Sequence, residues 1–169
     1  MTKRLGAGNS VRMRRLFRLV SAGVLIGSLF CGTPAQAATG KVIKVLPLFL
    51  DLQGRQALSP SLYDRDAYQA ILRQHPERRS GLRYAIQWKT KGSAWEPLKI
   101  RLEVRGIAEG NLPRELTIEK NVQPGRWFSQ WSSITLGREE YAVLGEVTAW
   151  RVTLWEGAQM IGEQKSFLW

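Results

Sequence analysis

The sequence predicts a mostly β fold: an antiparallel two-sheet sandwich of about seven strands with one inserted helix. Three observations carry this. Apolar and polar residues alternate with a period of two in several segments, as in Leu82-Arg83-Tyr84-Ala85-Ile86-Gln87-Trp88-Lys89. Turn residues, glycine above all, separate those segments at the spacing of a sandwich. Residues 61–74 alone carry apolar residues at the period of a helix.

The first 37 residues read as a removable leader. Lys3, Arg4, Arg12, Arg14, Arg15 and Arg18 form a basic start without an acidic residue. Leu19 to Phe30 is apolar apart from small residues, and Thr33-Pro34-Ala35-Gln36-Ala37 ends in an Ala-x-Ala pattern. These are the three parts of a secretory signal peptide, with cleavage expected after Ala37. The exported protein is expected in the periplasm or outside the cell. The apolar run is shorter than the roughly 20 residues of a membrane span, so no stable transmembrane anchor is expected after cleavage. Arg14-Arg15-Leu16-Phe17 resembles the core of a twin-arginine signal, but the pattern is short and arginine pairs are common in ordinary basic leaders, so the general export route is the leading expectation. Cys31 follows bulky Phe30, where a lipoprotein signal wants a small residue, and is expected to leave with the leader.

Residues 38–169 then make a single domain of 132 residues, long enough to bury a core. It contains no cysteine, so it must be stable by packing alone even where disulfides are permitted. Without the six basic residues of the leader, 19 of the 25 remain against 14 acidic residues, a net charge of +5. That balance favours anionic partners mildly: acidic glycans, phospholipid head groups or lipopolysaccharide. Nucleic acid is not expected as a partner outside the cytoplasm.

The elements follow in chain order. Val42 to Leu52 is an apolar strand carrying Pro47, which cannot donate to a central ladder and places the strand at an edge or at a kink. Ser61 to Gln74 reads as a helix. Ser61 is its N-cap with Asp64 three residues on, Tyr68, Ile71 and Leu72 form its apolar stripe, extended by Ala67, and His75-Pro76 ends it. Leu82 to Lys89 is a half-buried strand. Leu98, Ile100, Leu102 and Val104 alternate with Lys99, Arg101, Glu103 and Arg105, and Leu116 and Ile118 with Glu115, Thr117 and Glu119. Lys91-Gly92-Ser93, Gly110-Asn111, Pro124-Gly125, Gly137 and Gly157 mark turns. In the final hairpin Trp150, Val152 and Leu154 share an inward face, while Trp155 lies beside the Glu156-Gly157 turn, half exposed. Phe167-Leu168-Trp169 is apolar on both faces and is expected to be a last strand pinned on both sides.

Seven strands with one inserted helix resemble an immunoglobulin-like or fibronectin type III-like sandwich. The antibody-type Cys…Trp…Cys framework is absent. The chain as a whole resembles small exported bacterial proteins of unknown function, a resemblance that implies export and fold and no activity.

Catalytic chemistry finds few residues to use. His75 is the only histidine and stands at a helix end. With no mature cysteine, a zinc site would have to rest almost wholly on carboxylates. No Gly-x-Ser-x-Gly, His-Glu-x-x-His or phosphate loop occurs. Asp64 and Asp66 fall in the first helical turn, where they complement the macrodipole, and Glu139-Glu140 reads as a solvated loop pair. No catalytic residue, metal or cofactor is expected.

Two surfaces are candidates for binding. In Arg126-Trp127-Phe128-Ser129-Gln130-Trp131, a strand would set Trp127 and Trp131 on one face about 13 Å apart. Two such indoles among small hydroxyls suit stacking on sugar rings, with Arg126 and Trp95 as a flank. Neither face of the segment is cleanly apolar, so the same indoles also fit a core. The second surface is the helix flank, Tyr63, Arg65, Tyr68, Arg73, Arg78 and Arg79, since arginine and tyrosine are enriched at binding hot spots. The leading expectation is a non-catalytic module that binds an envelope or extracellular protein. A carbohydrate-binding module using Trp127 and Trp131 is second, and a small hydrolase third.

Overall fold

The computed structural model describes residues 39–92, 96–124 and 128–169. The expected leader, residues 1–37, lies outside them, as do Trp95, Arg126 and Trp127. The described chain forms seven strands: β1 (Thr39–Asp51), β2 (Arg79–Lys91), β3 (Leu98–Ala108), β4 (Leu112–Val122), β5 (Gln130–Leu136), β6 (Glu146–Glu156) and β7 (Gln159–Lys165). Helix α1 (Leu62–Gln74) lies between β1 and β2. A second, short helix, α2 (Arg138–Leu144), takes up Glu139 and Glu140, which sequence alone suggested were in a loop.

The strands make two antiparallel sheets, β1-β2-β5 and β4-β3-β6-β7. The chain crosses between sheets after β2, β4 and β5, so β3 and β6 become neighbours at the centre of the larger sheet. This is the layout of an immunoglobulin-like sandwich in which the fourth strand pairs with the third rather than the fifth. Alternation explains the core directly. Leu82, Tyr84, Ile86 and Trp88 of β2 face Leu98, Ile100, Leu102, Val104, Val152 and Leu154 from the other sheet, all of them buried. The buried Trp88 indole donates to Ser132 Oγ at 3.0 Å. Tyr84 meets Trp150 edge to face, with ring centroids 6.4 Å apart.

β1 is an edge strand, as Pro47 requires. Phe49 turns its backbone N–H and C=O away from β2 and onto the side chain of Gln69, at 2.8 and 2.9 Å. By the period of two, Pro47 stands at another outward position, where a missing N–H breaks no ladder bond. At its start β1 meets β7 backbone to backbone. A Cβ added at Gly40 would lie 2.8 Å from the Ile161 side chain, and one at Gly162 would lie 3.1 Å from the Gly40 carbonyl oxygen.

Ser61 caps α1, accepting from the Asp64 N–H at 3.4 Å. The helix, however, is rotated from the expected stripe. It buries Gln69 and Leu72, while Ile71 and Ala67 are exposed. The rotation follows from the polar bonds that Gln69 makes to the edge of β1, which outweigh the burial of one isoleucine. Arg79 fastens the far end of α1: it donates to the Leu72 and Arg73 carbonyls, both at 2.6 Å, and lies 4.1 Å over the Phe49 ring.

The chain end differs from the expected last strand. β7 stops at Lys165, and Ser166 makes a turn: its N–H donates to the Trp150 carbonyl and its Oγ accepts from the Trp150 N–H. Phe167 and Leu168 are exposed, and the Trp169 ring stacks under Arg105 at 4.1 Å and Arg151 at 5.0 Å. Ladder bonds end where Ser166 takes them, and the indole gains more from two guanidinium groups than a strand would offer it.

Candidate binding face on the three-stranded sheet

The register places a defined set of residues on the outer face of β1-β2-β5. One cross-strand row is Lys44, Gln87 and Trp131; the next is Leu46, Ala85 and Ser133; the third is Leu48, Arg83 and Thr135. Lys41 stands opposite Lys89 at one end of this face. A register shift between Val42 and Lys44 brings Lys41 and Lys44, three apart in sequence, onto the same side.

Trp131 is 53% exposed on this face, and Phe128, just before β5, is 85% exposed. Polar groups beside them are held in place. Gln87 Nε2 donates to Ser129 Oγ at 2.9 Å, and Arg83 donates to Ser133 Oγ at 3.1 Å. Trp131 therefore offers an indole among hydroxyl and amide groups, while on the opposite side of the same strand Ile134 and Leu136 enter the core. Phe128, placed by alternation on the face opposite Trp131, lies just outside the strand and is exposed with it.

The helix-flank residues divide. Tyr63 is 83% exposed, and Arg78 is exposed. Arg65 pairs with Asp66 at 2.9 Å. Tyr68 donates its hydroxyl to Asp51 at 2.8 Å, and Arg79 is the anchor of α1 already described, bridging to Glu146 at 3.2 Å. Tyr68 and Arg79 thus face the protein while Tyr63 and Arg78 face solvent. Between α1 and β1 runs a groove of about 420 Å³ whose lining includes Lys44, Leu46, Arg65, Asp66 and Arg73. It continues the outer face of the sheet through Lys44 and Leu46.

The outer face of the four-stranded sheet is built differently. There most charges meet an opposite: Arg105 pairs with Glu115, Arg101 and Lys99 with Glu119, and Arg151, which also stands across from exposed Lys165, grips Glu103 through two bonds at 2.6 and 2.8 Å. Arg101 also covers the Trp155 ring at 4.8 Å, whose Nε1 donates to Thr153. The hydrogen bonds from Arg151 hold the Glu103 carboxyl below the usual range despite its partial burial.

Titratable groups elsewhere serve the fold. Burial would raise the Asp51 carboxyl, but bonds from the Arg55 backbone and guanidinium, the Tyr68 hydroxyl and the Gln53 backbone outweigh it and hold the pKa low. Burial pushes the Tyr84 hydroxyl up. His75 contacts exposed Glu77 at 2.9 Å. Among the described residues no three His, Cys, Asp or Glu side chains gather as metal ligands, and no helix is long and apolar enough to cross a membrane.

Two groups of residues on this molecule escaped sequence reasoning. Alternation already placed Arg83, Gln87 and Lys89 on a wet face, but the irregularity in β1 concealed that Lys41 and Lys44 join them. Asp51 and Gln69 carried no motif at all. No protein-family model matches the chain, and no curated protein sequence matches it significantly. Its structure is similar to that of an immunoglobulin-like protein from Pseudomonas aeruginosa, at 11% identity and a TM-score of 0.35, over 78% of this chain and 96% of that one.

Proposed function

We propose that this protein is an exported, non-catalytic β-sandwich module that binds carbohydrate on the outer face of the three-stranded sheet. The observation that carries the reading is Trp131: half exposed on a sheet face, among the fixed amide and hydroxyls of Gln87, Ser129 and Ser133. An indole in that setting stacks on the apolar face of a sugar ring while its neighbours meet the ring hydroxyls. The basic and apolar pattern of residues 1–30, with the Ala-x-Ala ending at Ala37, supports export. The test is a fluorescence titration of the purified protein with neutral and acidic polysaccharides, beside a folded Trp131→Ala variant. A saturable change lost in the variant supports the reading, and an unchanged response in both removes it. N-terminal sequencing of protein recovered outside the cytoplasm, expected to begin at Ala38, tests export.

A second reading, binding of an envelope or extracellular protein, draws on the α1 side, where Leu58, Leu62 and Tyr63 are all exposed. Strand addition is not its favoured mode. Gln69 occupies the β1 edge at Phe49, Pro47 offers no N–H, and Lys120 Nζ donates to the outward Ser133 carbonyl of β5 at 2.9 Å. Co-purification of an envelope protein that is lost with Tyr63→Ala and kept with Trp131→Ala would move the assignment to this surface.

A further inference from the structure

We propose that the sugar chain bound on this face is anionic: a polysaccharide bearing carboxylates, laid along the sheet from Lys41 and Lys89 to Arg83. This rests on the reading of the outer face as a sugar-binding surface and names the substrate class.

The first argument is an asymmetry between the two sheets. On the four-stranded sheet, opposite charges face each other directly across strands: Arg105 and Glu115, Arg101 and Glu119, Glu103 and Arg151; where Arg151 also faces Lys165, the carboxylates of Glu103 and Glu163 offset it. On the three-stranded sheet the corresponding face carries Lys41, Lys44, Arg83 and Lys89, and its strands contribute no carboxylate to it. Lys41 and Lys89 are direct cross-strand partners, both exposed. Like charges placed so repel and work against the fold. None of these four cations makes an ion pair among the described residues. An anion between Lys41 and Lys89 relieves that repulsion, so binding recovers what the free fold gives up.

The second argument is shape. Lys89 and Arg83 lie six residues apart on β2, about 20 Å at the rise of a strand. Trp131 sits opposite Gln87, between those ends, and Leu46, Ala85 and Ser133 form a low floor beside it. Cations at both ends of a strip with a stacking ring in the middle fit an extended charged chain. A single small anion would leave one end unused. The groove toward α1 adds Arg73 and Arg65, the latter bonded to Asp66.

The probes are sodium polygalacturonate, neutral dextran and inorganic polyphosphate, titrated against the whole exported protein at low and raised salt. Polygalacturonate is expected to bind and to weaken as salt rises. Lys41→Glu/Lys89→Glu together should weaken it about tenfold. Arg114→Glu/Arg138→Glu, which makes the same change in net charge on β4 and α2, should leave it within about twofold. Lys89→Glu alone separates binding from folding. It sets an opposite charge against Lys41, so the melting temperature should rise while affinity falls.

Dextran bound as tightly as polygalacturonate, unaffected by the lysine variants and lost with Trp131→Ala, overturns the anionic class and leaves the sugar-binding reading standing. Polyphosphate bound as tightly as polygalacturonate, with Trp131→Ala without effect, makes the face a general anion surface and overturns both. Absence of binding to either glycan also overturns both.

Discussion

The side-chain amide of Gln69 pairs with the backbone of Phe49 as a neighbouring strand would: the Phe49 N–H donates to Oε1 at 2.8 Å, and Nε2 donates to the Phe49 carbonyl at 2.9 Å. The same Nε2 donates to the Gln56 carbonyl at 2.8 Å, and the side chain is almost wholly buried. One residue of α1 thereby docks the helix, holds the loop after β1 and closes part of an open sheet edge.

Gln69→Ala should cost about 2–4 kcal/mol, because it leaves buried backbone groups without partners and a gap beside Leu72. Urea denaturation measures this. The freed edge at Phe49 should also promote self-association, read by size-exclusion chromatography at rising concentration.

Arg79→Lys should loosen α1 more than its conserved charge suggests. A lysine cannot reach the Leu72 and Arg73 carbonyls together while lying flat on Phe49. A loss of about 1–3 kcal/mol is expected, with faster hydrogen exchange confined to the last turn of α1.

Trp131→Ala and Trp88→Ala should separate sharply. Trp131 is half exposed, and its loss should change stability by no more than about 0.5 kcal/mol. Trp88 fills the core and bonds Ser132, and its loss should cost about 3–5 kcal/mol. Thermal melts of the two variants, with acrylamide quenching of the wild type for comparison, distinguish the surface indole from the buried one.

Asp51 predicts an acid limit to stability. Its folded pKa lies below the unfolded value of about 3.9, so its contribution is fully present above that value and is lost as pH falls through the lowered folded pKa. Asp51→Asn should therefore be destabilised at neutral pH, with the difference from wild type shrinking as the pH drops below about 4. Denaturation midpoints across pH 2–7 check the sign; a constant difference would exclude Asp51 as the source.

The strands were legible because alternation in Leu82–Lys89 and Leu98–Arg105 reports directly which side chains enter a core. The inserted helix was legible from its cap, Ser61, and its stop, His75-Pro76. Its orientation was not, since the burial of Gln69 depends on an edge 20 residues away that no local period encodes. The chain end misled for a related reason. Phe167-Leu168-Trp169 has the composition of a buried strand, but Arg105 and Arg151 offer Trp169 a place that only the folded sheet creates. At the proposed binding face, composition named Trp131 and left its exposure undecided, because Ser129, Ser133 and Thr135 suit a core edge and a wet surface alike. Lys41 and Lys44 escaped because one extra residue in β1 shifts the register.

The approach of Gly40 to Gly162 gives the sandwich a spine. Along β1 and β7 the two sheets come close, with Gly162 against the Gly40 backbone and the Ile161 side chain filling the space over Gly40, so that side has little room to part. On the far side β5 is tethered to β4 by the connecting loop and by a bond from Lys120 to the Ser133 carbonyl. If the sheets part, the side with β5 is expected to give first, as the loose page of a book whose spine is at Gly40 and Gly162. A chain laid along this sheet from Lys41 and Lys89 to Arg83 would touch β5 through Trp131, and its binding would help hold that page in place.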